Sequence, residues 1–173
     1  MLLILFIVGT LLGCVVATPA LAMIDRTTVE DFDLHRFLGH WYEIARYENR
    51  FERHLEGVEA HYTLRDDGTI EVVNRGIDTR TGRVKESRGT AKPTAVPGQL
   101  RVSFFLFFYS DFNILAIDPD YRWALIGSRS EKYLWILART PRLGATTLAE
   151  ILRIVEERGY PTASLNFVEQ PDR

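Results

Sequence analysis

The sequence contains very little cysteine: Cys14 is the only one among its 173 residues. An internal disulfide is therefore excluded, and the fold must be held together by an apolar core. Hydrophobic residues make up 46% of the chain, which is enough for one globular domain with such a core.

An excess of basic charge is also missing. The formal net charge is −2, and lysines and arginines are mixed with aspartates and glutamates along the chain. Nucleic-acid binding requires a positively charged patch or stripe. The composition therefore argues against a nucleic acid as a partner.

Common catalytic and metal-binding patterns are absent as well. The four histidines, His35, His40, His54 and His61, do not have the spacing of metal ligands. No G-x-S-x-G motif supplies a nucleophile. We therefore expect a protein that is not an enzyme and that uses neither a metal nor a cofactor.

Charged residues are missing from the first 24 positions, MLLILFIVGTLLGCVVATPALAMI. An apolar N-terminal segment of this kind predicts an export signal. Its length would also suit an uncleaved membrane anchor. We assign residues 1–24 to the export segment and residues 25–173 to the folded domain.

Two processing sites compete within this segment. Ala20-Leu21-Ala22 is an A-x-A site for cleavage before Met23, which would leave a secreted or periplasmic protein. Leu11-Leu12-Gly13-Cys14 has the order of a bacterial lipobox, in which the cysteine becomes lipid-modified and N-terminal. The lipobox is favoured, so Cys14 is the predicted lipidation site and its lipid anchor the predicted membrane contact. Val15 follows in place of aspartate, which favours the outer membrane.

From Asp25 onward, short runs of alternating polarity are separated by turn signals. Strict alternation from Val58 to Leu64, for example, gives one apolar and one polar face. Eight such runs, with turns every eight to twelve residues or so, favour a sandwich or barrel of sequential antiparallel strands. One helical pattern follows, with a capping box at Thr147–Glu150 and a stop at Gly159.

Eight strands that close into a barrel leave room for one small ligand inside. The alternative is a solid core filled by the same side chains. Alternation predicts the inward-facing, ligand-lining set to be Val58, Ala60, Tyr62, Ile70, Val72, Asn74, Leu100, Val102, Phe104, Phe112, Ile114, Ala116, Tyr133 and Trp135, and Leu137 joins them.

Three local motifs carry a family resemblance. Gly39-His40-Trp41 begins the first strand, Asp118-Pro119-Asp120-Tyr121 is the turn between the sixth and seventh strands, and Arg139 ends the eighth. In order and spacing they resemble the three signature regions of the lipocalins. The runs WYEIARYENRFE and LWILARTP are similar to the bacterial outer-membrane lipocalins in particular. The resemblance implies an all-β fold, an eight-stranded antiparallel up-and-down barrel with one C-terminal α-helix packed outside.

The motif residues also have a physical reading of their own. Trp41 can plug the narrow end of a barrel while Arg139 lies over its indole face. The Asp120 carboxylate can accept backbone N–H groups of the neighbouring turn. Together with Gly39 and Tyr121, these residues are predicted to close one end, which leaves the opposite end open.

The resemblance further implies a ligand, a fatty acid or lysophospholipid that is stored or transported in the bacterial cell envelope. Its polar head would meet Arg80, Arg83 and Lys85 at the rim, and a homodimer is a possible assembly. One alternative is an envelope interaction protein whose filled barrel displays an aromatic loop. Another is a lipocalin-type isomerase.

One of the predicted strands, the aromatic strand, runs from Gln99 to Phe108. Its stretch VSFFLFFY, Val102 to Tyr109, has no strand or helix period that hides all of its rings. Contiguous exposed apolar side chains usually mark a partner, a ligand or a membrane. We predict that Phe104 points into the lumen. Phe107 and Phe108 are predicted to stand at the open rim, against a membrane or a second subunit, with Leu106 in the same loop.

Overall fold

The computed structural model describes residues 23–105 and 108–171. A short helix, α1 (Leu34–Phe37), comes first. The strands are β1 (Gly39–Tyr47), β2 (Leu55–Leu64), β3 (Ile70–Asp78), β4 (Arg83–Pro93), β5 (Gln99–Ser103), β6 (Ser110–Ile117), β7 (Trp123–Gly127) and β8 (Leu134–Ala138). Helix α2 (Ala145–Glu157), a 3-10 turn (Thr162–Ser164) and a short strand, β9 (Leu165–Phe167), complete these elements.

Each of the first eight strands pairs antiparallel with its neighbour in sequence. Strand β1 pairs with both β2 and β8, so the sheet closes into a barrel. The predicted up-and-down barrel with a C-terminal helix is therefore confirmed. Strand β9 pairs with the C-terminal part of β1, where Ala45–Tyr47 pair with Phe167–Leu165.

The barrel wall separates two apolar clusters. The inner cluster includes Trp41, Tyr62 and Ile114, which are buried inside the barrel. The outer cluster packs between the wall and α2, whose Ile151 and Val155 are fully buried. The predicted helix is thus present, packed outside the barrel.

The start of α2 differs from the prediction. The N-cap is Gly144, in extended conformation, and the helix begins at Ala145. Thr147, the predicted start of a capping box, lies inside the first turn. The helix ends as predicted: Gly159 has a φ of 81°, a conformation that glycine adopts without strain.

The predicted aromatic strand is shorter than expected. Strand β5 ends at Ser103, and the chain bends at Phe104 and Phe105. The extension of this strand to Phe108 is therefore wrong. Leu106 and Phe107 lie outside the described residues.

The two ends of the barrel differ. Helix α1 and the β2–β3, β4–β5 and β6–β7 connections lie at one end, which we call the closed end. The β1–β2, β3–β4, β5–β6 and β7–β8 connections lie at the other, which we call the rim. Neither helix in residues 23–105 and 108–171 combines the length and hydrophobicity needed to cross a bilayer. Cys14 and residues 1–22 of the predicted export segment lie outside the described residues.

Candidate functional site

The lumen is lined largely by the predicted side chains. Six of them, Tyr62, Ile70, Val72, Leu100, Val102 and Ile114, are buried in the inner cluster, and Leu137 joins them. Ala60, Phe112 and Trp135 pack against this cluster and are less buried. Val58 is buried beside the inward face of Gly76. Alternation along β2, β3, β5 and most of β6 therefore predicts the correct face.

Ala116 is an exception, and its prediction as a lining residue is wrong. The register between β6 and β7 shifts between Ile114 and Ala116. This β-bulge turns Ala116 outward, where it packs in the outer cluster, and Ile117 takes the inner face.

Two predicted lining residues lie nearer the rim. A Cβ added to Gly89, on the inward face of β4, would meet the ring of Phe104 at 2.8 Å. Phe104 therefore lies against the inner wall, but it is 45% exposed because it stands at the mouth, the opening of the lumen at the rim. Tyr133 precedes β8 and stacks on Trp135 with 5.8 Å between ring centroids.

The lumen also contains a polar acceptor. Asn74 faces inward on β3, between Val72 and Gly76. Its Oδ1 is buried and has no hydrogen-bond partner among the described residues. A carbonyl oxygen in this position can accept a hydrogen bond from a ligand.

The closed end is built around Trp41. The Arg139 guanidinium lies over the indole at 3.8 Å from the ring centroid. Its nitrogens donate to the carbonyl oxygens of His40 and Arg36, each at 2.7 Å. Trp41 Nε1 donates to the Phe37 carbonyl oxygen at 2.7 Å. Gly39 has a φ of 92°, so the chain enters β1 through a turn that favours glycine.

The turn between β6 and β7 uses a different aspartate from the one predicted. Asp118 is buried, and its carboxylate accepts from the backbone N–H groups of Asp120 and Arg122 at 3.0 and 3.1 Å. The Arg122 side chain donates to the same carboxylate, which lowers the pKa of Asp118. Asp120 is exposed, so its predicted role is wrong. Tyr121 closes the turn, and its hydroxyl oxygen accepts from the Asp33 N–H at 2.7 Å.

The rim carries a cluster of cations. Arg80 and Lys85 both contact the Asp78 carboxylate, at 3.0 and 2.6 Å. Hydrogen bonds from Arg80 and Lys85 lower the pKa of Asp78 strongly. Arg83 pairs directly opposite Asp78 in the β3–β4 ladder. Two of the three predicted head-group residues thus contact one carboxylate and the third lies opposite it in the ladder, so the three cations outnumber this carboxylate.

A buried ion pair in the wall was not predicted. Arg46 is 1% exposed and donates from Nη1 to the Glu43 carboxylate at 2.7 Å. Its Nη2 donates to the carbonyl oxygens of Glu52 and Leu55. The Glu52 carboxylate in turn accepts from Trp135 Nε1 at 3.0 Å. These contacts tie the β1–β2 connection to the wall beside the mouth.

Of this pair, only the inward position of Glu43 could be predicted from the sequence. Glu43 stands two residues after Trp41, so alternation already places its carboxylate on the inner face. Arg46 reaches that face only because the β1–β8 register shifts between Glu43 and Ala45. A bulge of this kind is not readable from hydrophobic periodicity.

The pair has an unusual electrostatic balance. Burial raises the pKa of Glu43 well above its ordinary value, the neighbouring Glu52 carboxyl adds to this shift, and Arg46 opposes it. The Arg46 guanidinium thus pairs with the Glu43 carboxyl while a second carboxyl, that of Glu52, lies nearby. Burial and the neighbouring carboxyl thus disfavour the ionised form of Glu43, and the ion pair with Arg46 favours it.

Comparison with known proteins agrees with this geometry. The Lipocalin-like domain family model matches residues 32–170. The chain is a lipocalin.

Similar proteins occur in bacteria, plants and mammals. The chain is 44% identical over 147 residues to the outer membrane lipoprotein Blc of Escherichia coli K12, covering 84% of this lipocalin and 83% of that protein. Blc of Vibrio cholerae is 39% identical over 145 residues, 82% and 85% of the two chains. Temperature-induced lipocalin-1 of Arabidopsis thaliana is 36% identical over 158 residues, 86% and 84%.

Solved structures show the same fold at low identity. The cockroach allergen Per a 4 superposes with a TM-score of 0.70 at 18% identity, covering 88% of this lipocalin and 97% of the allergen. Insecticyanin of Manduca sexta gives a TM-score of 0.68 at 21% identity, covering 87% and 86%.

These relatives confirm two further predictions at a general level. This lipocalin binds and stores or transports a hydrophobic ligand in the cell envelope. Its location is the outer membrane, as a lipoprotein.

Proposed function

We propose that the lumen binds the acyl chain of one fatty acid or lysophospholipid, with the tail toward Trp41 and the head at the rim. The observation that carries this proposal is the division of the lumen into an aromatic closed end and a charged mouth. An amphiphile with one long tail has the same polarity along its length. The proposed role is binding, without catalysis.

Aromatic rings surround the proposed tail site. Phe37 contacts Trp41 and Tyr62, with ring centroids 5.0 and 5.1 Å apart, and Tyr62 lies 6.1 Å from Phe112. Each buried CH₂ group contributes about 0.8 kcal/mol. Ten methylenes would therefore contribute ~8 kcal/mol before the cost of ordering the ligand, which is the scale of micromolar affinity.

The proposed head site is the cation cluster at the β3–β4 side of the mouth. Arg80 and Lys85 contact the single carboxylate of Asp78, and Arg83 lies opposite it, so three cations stand beside one anion. A phosphate or carboxylate accepts charge-assisted hydrogen bonds from such groups. Anionic heads are therefore preferred there over neutral ones.

The proposed anchor is an acyl-modified Cys14, which would make the mature chain begin at that residue. The names of the bacterial relatives, outer membrane lipoproteins, support this assignment. Stable anchoring requires more than one acyl chain or an additional membrane contact.

A second reading rests on the exposed rings of Phe105 and Phe108 at the rim. In this reading the barrel is filled by its own side chains and serves only to display the aromatic loop to another protein. The two readings differ in whether a delipidated barrel takes up a lipid.

Filling the lumen is expected to block uptake. Ala60 packs against the inner cluster, so Ala60→Trp should place an indole where the tail lies and weaken fatty-acid affinity by about tenfold or more, ~1.4 kcal/mol. His61, the next residue, is exposed on the outer face, so His61→Trp is the matched control. Delipidated variants would be titrated with a fluorescent fatty acid, and circular dichroism would verify their fold.

The parent and the His61→Trp variant should both saturate at one ligand per barrel. Uptake by Ala60→Trp equal to that of the parent would place the ligand outside the lumen. No saturable uptake by any of the three proteins would favour the interaction protein.

A further inference from the structure

The rim carries exposed aromatic side chains. Phe51 is 68% exposed, Phe105 68% and Phe108 75%, and all three belong to connections at this end. Phe105 and Phe108 stack with ring centroids 6.3 Å apart, so they form one apolar projection. Large apolar side chains that group at one end of a molecule mark a contact surface.

Basic residues are frequent in the connections at this end. The sequence segments 48–54, 79–83, 104–109 and 128–133 at the rim contain six arginines and lysines against three glutamates. One of these cations, Arg50, lies 4.6 Å from the Phe51 ring centroid. In β4, Lys92 lies 5.0 Å from the ring centroid of Tyr109, which follows Phe108 in the β5–β6 connection. Aromatic rings with neighbouring cations suit the interface of a bilayer that contains anionic lipid.

The path of the N-terminal segment indicates which end of the barrel lies nearer to a membrane anchor at Cys14. The Val29 N–H donates to the Ile114 carbonyl oxygen in the middle of β6. Nearer the N-terminus, Arg26 Nη1 donates to the Arg129 carbonyl oxygen at 2.9 Å, in the β7–β8 connection at the rim. The described chain, which starts at Met23, therefore begins on the rim side of the barrel.

The short length of this preceding chain limits where the barrel can sit. Eight residues, 15–22, separate Cys14 from Met23. Eight residues span at most ~26–29 Å even when fully extended. The nine residues of β1, tilted as barrel strands are, make a wall about 20–25 Å high. An anchor at Cys14 can therefore easily lie in a bilayer at the rim. A bilayer at the closed end would require nearly the full length of residues 15–22.

We propose that the rim of this lipocalin rests on the bilayer in which its anchor is embedded, with Phe51, Phe105 and Phe108 in the lipid interface and the mouth facing the membrane. The proposal rests on the proposed lipid anchor at Cys14. A lipid surface covers the rim in this arrangement, because the start of the described chain, the basic residues and the exposed rings all lie at this end. An acyl chain then enters the lumen from the membrane without crossing water.

The test uses the full acylated protein, reconstituted in vesicles of phosphatidylethanolamine and phosphatidylglycerol with brominated acyl chains, which quench tryptophan fluorescence. Phe108→Trp adds a probe at the rim. Val96→Trp adds a matched probe in the β4–β5 connection at the closed end, where Val96 is 48% exposed. The fluorescence of the parent, with its buried Trp41 and Trp123 and with Trp135, is subtracted.

Bromolipid should remove most of the added fluorescence of Phe108→Trp and leave that of Val96→Trp unchanged. Equal quenching of the two probes, or stronger quenching of Val96→Trp, would overturn the proposal. So would an unquenched Phe108→Trp in protein that light scattering shows to be dimeric, because a second copy would then cover the rim.

A transfer measurement tests the functional consequence. The double variant Phe105→Ser with Phe108→Ser should slow transfer of a fluorescent fatty acid from vesicle to protein several-fold, and Val96→Ser should not. Equilibrium affinity of the double variant should equal that of the parent. A loss of lumen binding would appear in the equilibrium titration whichever probe is quenched, and mass spectrometry of the purified protein reports the anchor separately, so the failures can be told apart.

Discussion

Replacing Arg46 with methionine is expected to lower the free energy of unfolding by ~3–5 kcal/mol, because the change leaves a buried carboxyl without its partner. Methionine keeps most of the apolar stem and removes the guanidinium. The Glu43 carboxylate then loses its 2.7 Å ion pair, and the carbonyl oxygens of Glu52 and Leu55 lose their donor. Urea unfolding of the parent and the variant measures the difference.

Glu43→Gln is the matched control. It removes the charge that Arg46 balances but keeps a hydrogen-bond acceptor, and the double variant Glu43→Gln with Arg46→Met should be more stable than Arg46→Met alone. An Arg46→Met variant within about 1 kcal/mol of the parent would show that the pair does not hold the wall.

The same control has a predicted pH signature. A carboxyl whose pKa is raised in the folded state contributes stability that is complete below its unfolded pKa, about 4.3, and that is lost as pH rises through the folded value. Glu43→Gln should remove this decline. The lowered pKa values of Asp78 and Asp118 act in the opposite direction. Their contributions to stability are present above the unfolded pKa of aspartate, about 3.9, and are lost as pH falls through the folded pKa.

Trp41→Ala is expected to destabilise the barrel by ~3–5 kcal/mol. Trp41 is fully buried, so the change opens a cavity at the closed end. It also removes the stacking partner of Arg139 and the hydrogen bond to the Phe37 carbonyl oxygen. Thermal and urea unfolding measure the loss.

Arg139→Lys separates the plug from the charge above it. Lysine keeps the positive charge but loses the planar surface over the indole and most of the donors to the α1 carbonyl oxygens. Its cost should be smaller than that of Trp41→Ala. A Trp41→Ala protein that unfolds at the same urea concentration as the parent would contradict the view that Trp41 holds the closed end.

Much of the barrel was predictable because its strands alternate. The runs around Val58–Leu64 and Ile70–Gly76 lie where the pattern predicts, since one face of each meets the inner cluster. Phe104–Tyr109 could not be divided in the same way, because six consecutive apolar side chains carry no period. The end of β5 at Ser103 is set by the bend that follows.

The remaining differences have local causes. The bulges at Ala45 and Ala116 turn single side chains to the opposite face without a sequence signal. Alternation therefore predicts the wrong face for Ala116 and does not predict that Arg46 faces inward. In the turn between β6 and β7, Asp118 and Asp120 are alternative acceptors two residues apart. Only the backbone path selects Asp118, whose carboxylate lies within reach of two N–H groups.

The central claim, a lipid tail inside the barrel, can be tested by photocrosslinking. A fatty acid with a diazirine near its terminal carbon would be bound to the delipidated protein and irradiated, and the modified peptides would be identified by mass spectrometry. A tail inside the barrel should give adducts on the closed-end lumen residues Phe37, Trp41, Tyr62 and Phe112. Adducts confined to the outer groove beside Ile44, Leu143, Phe167 and Pro171 would contradict it.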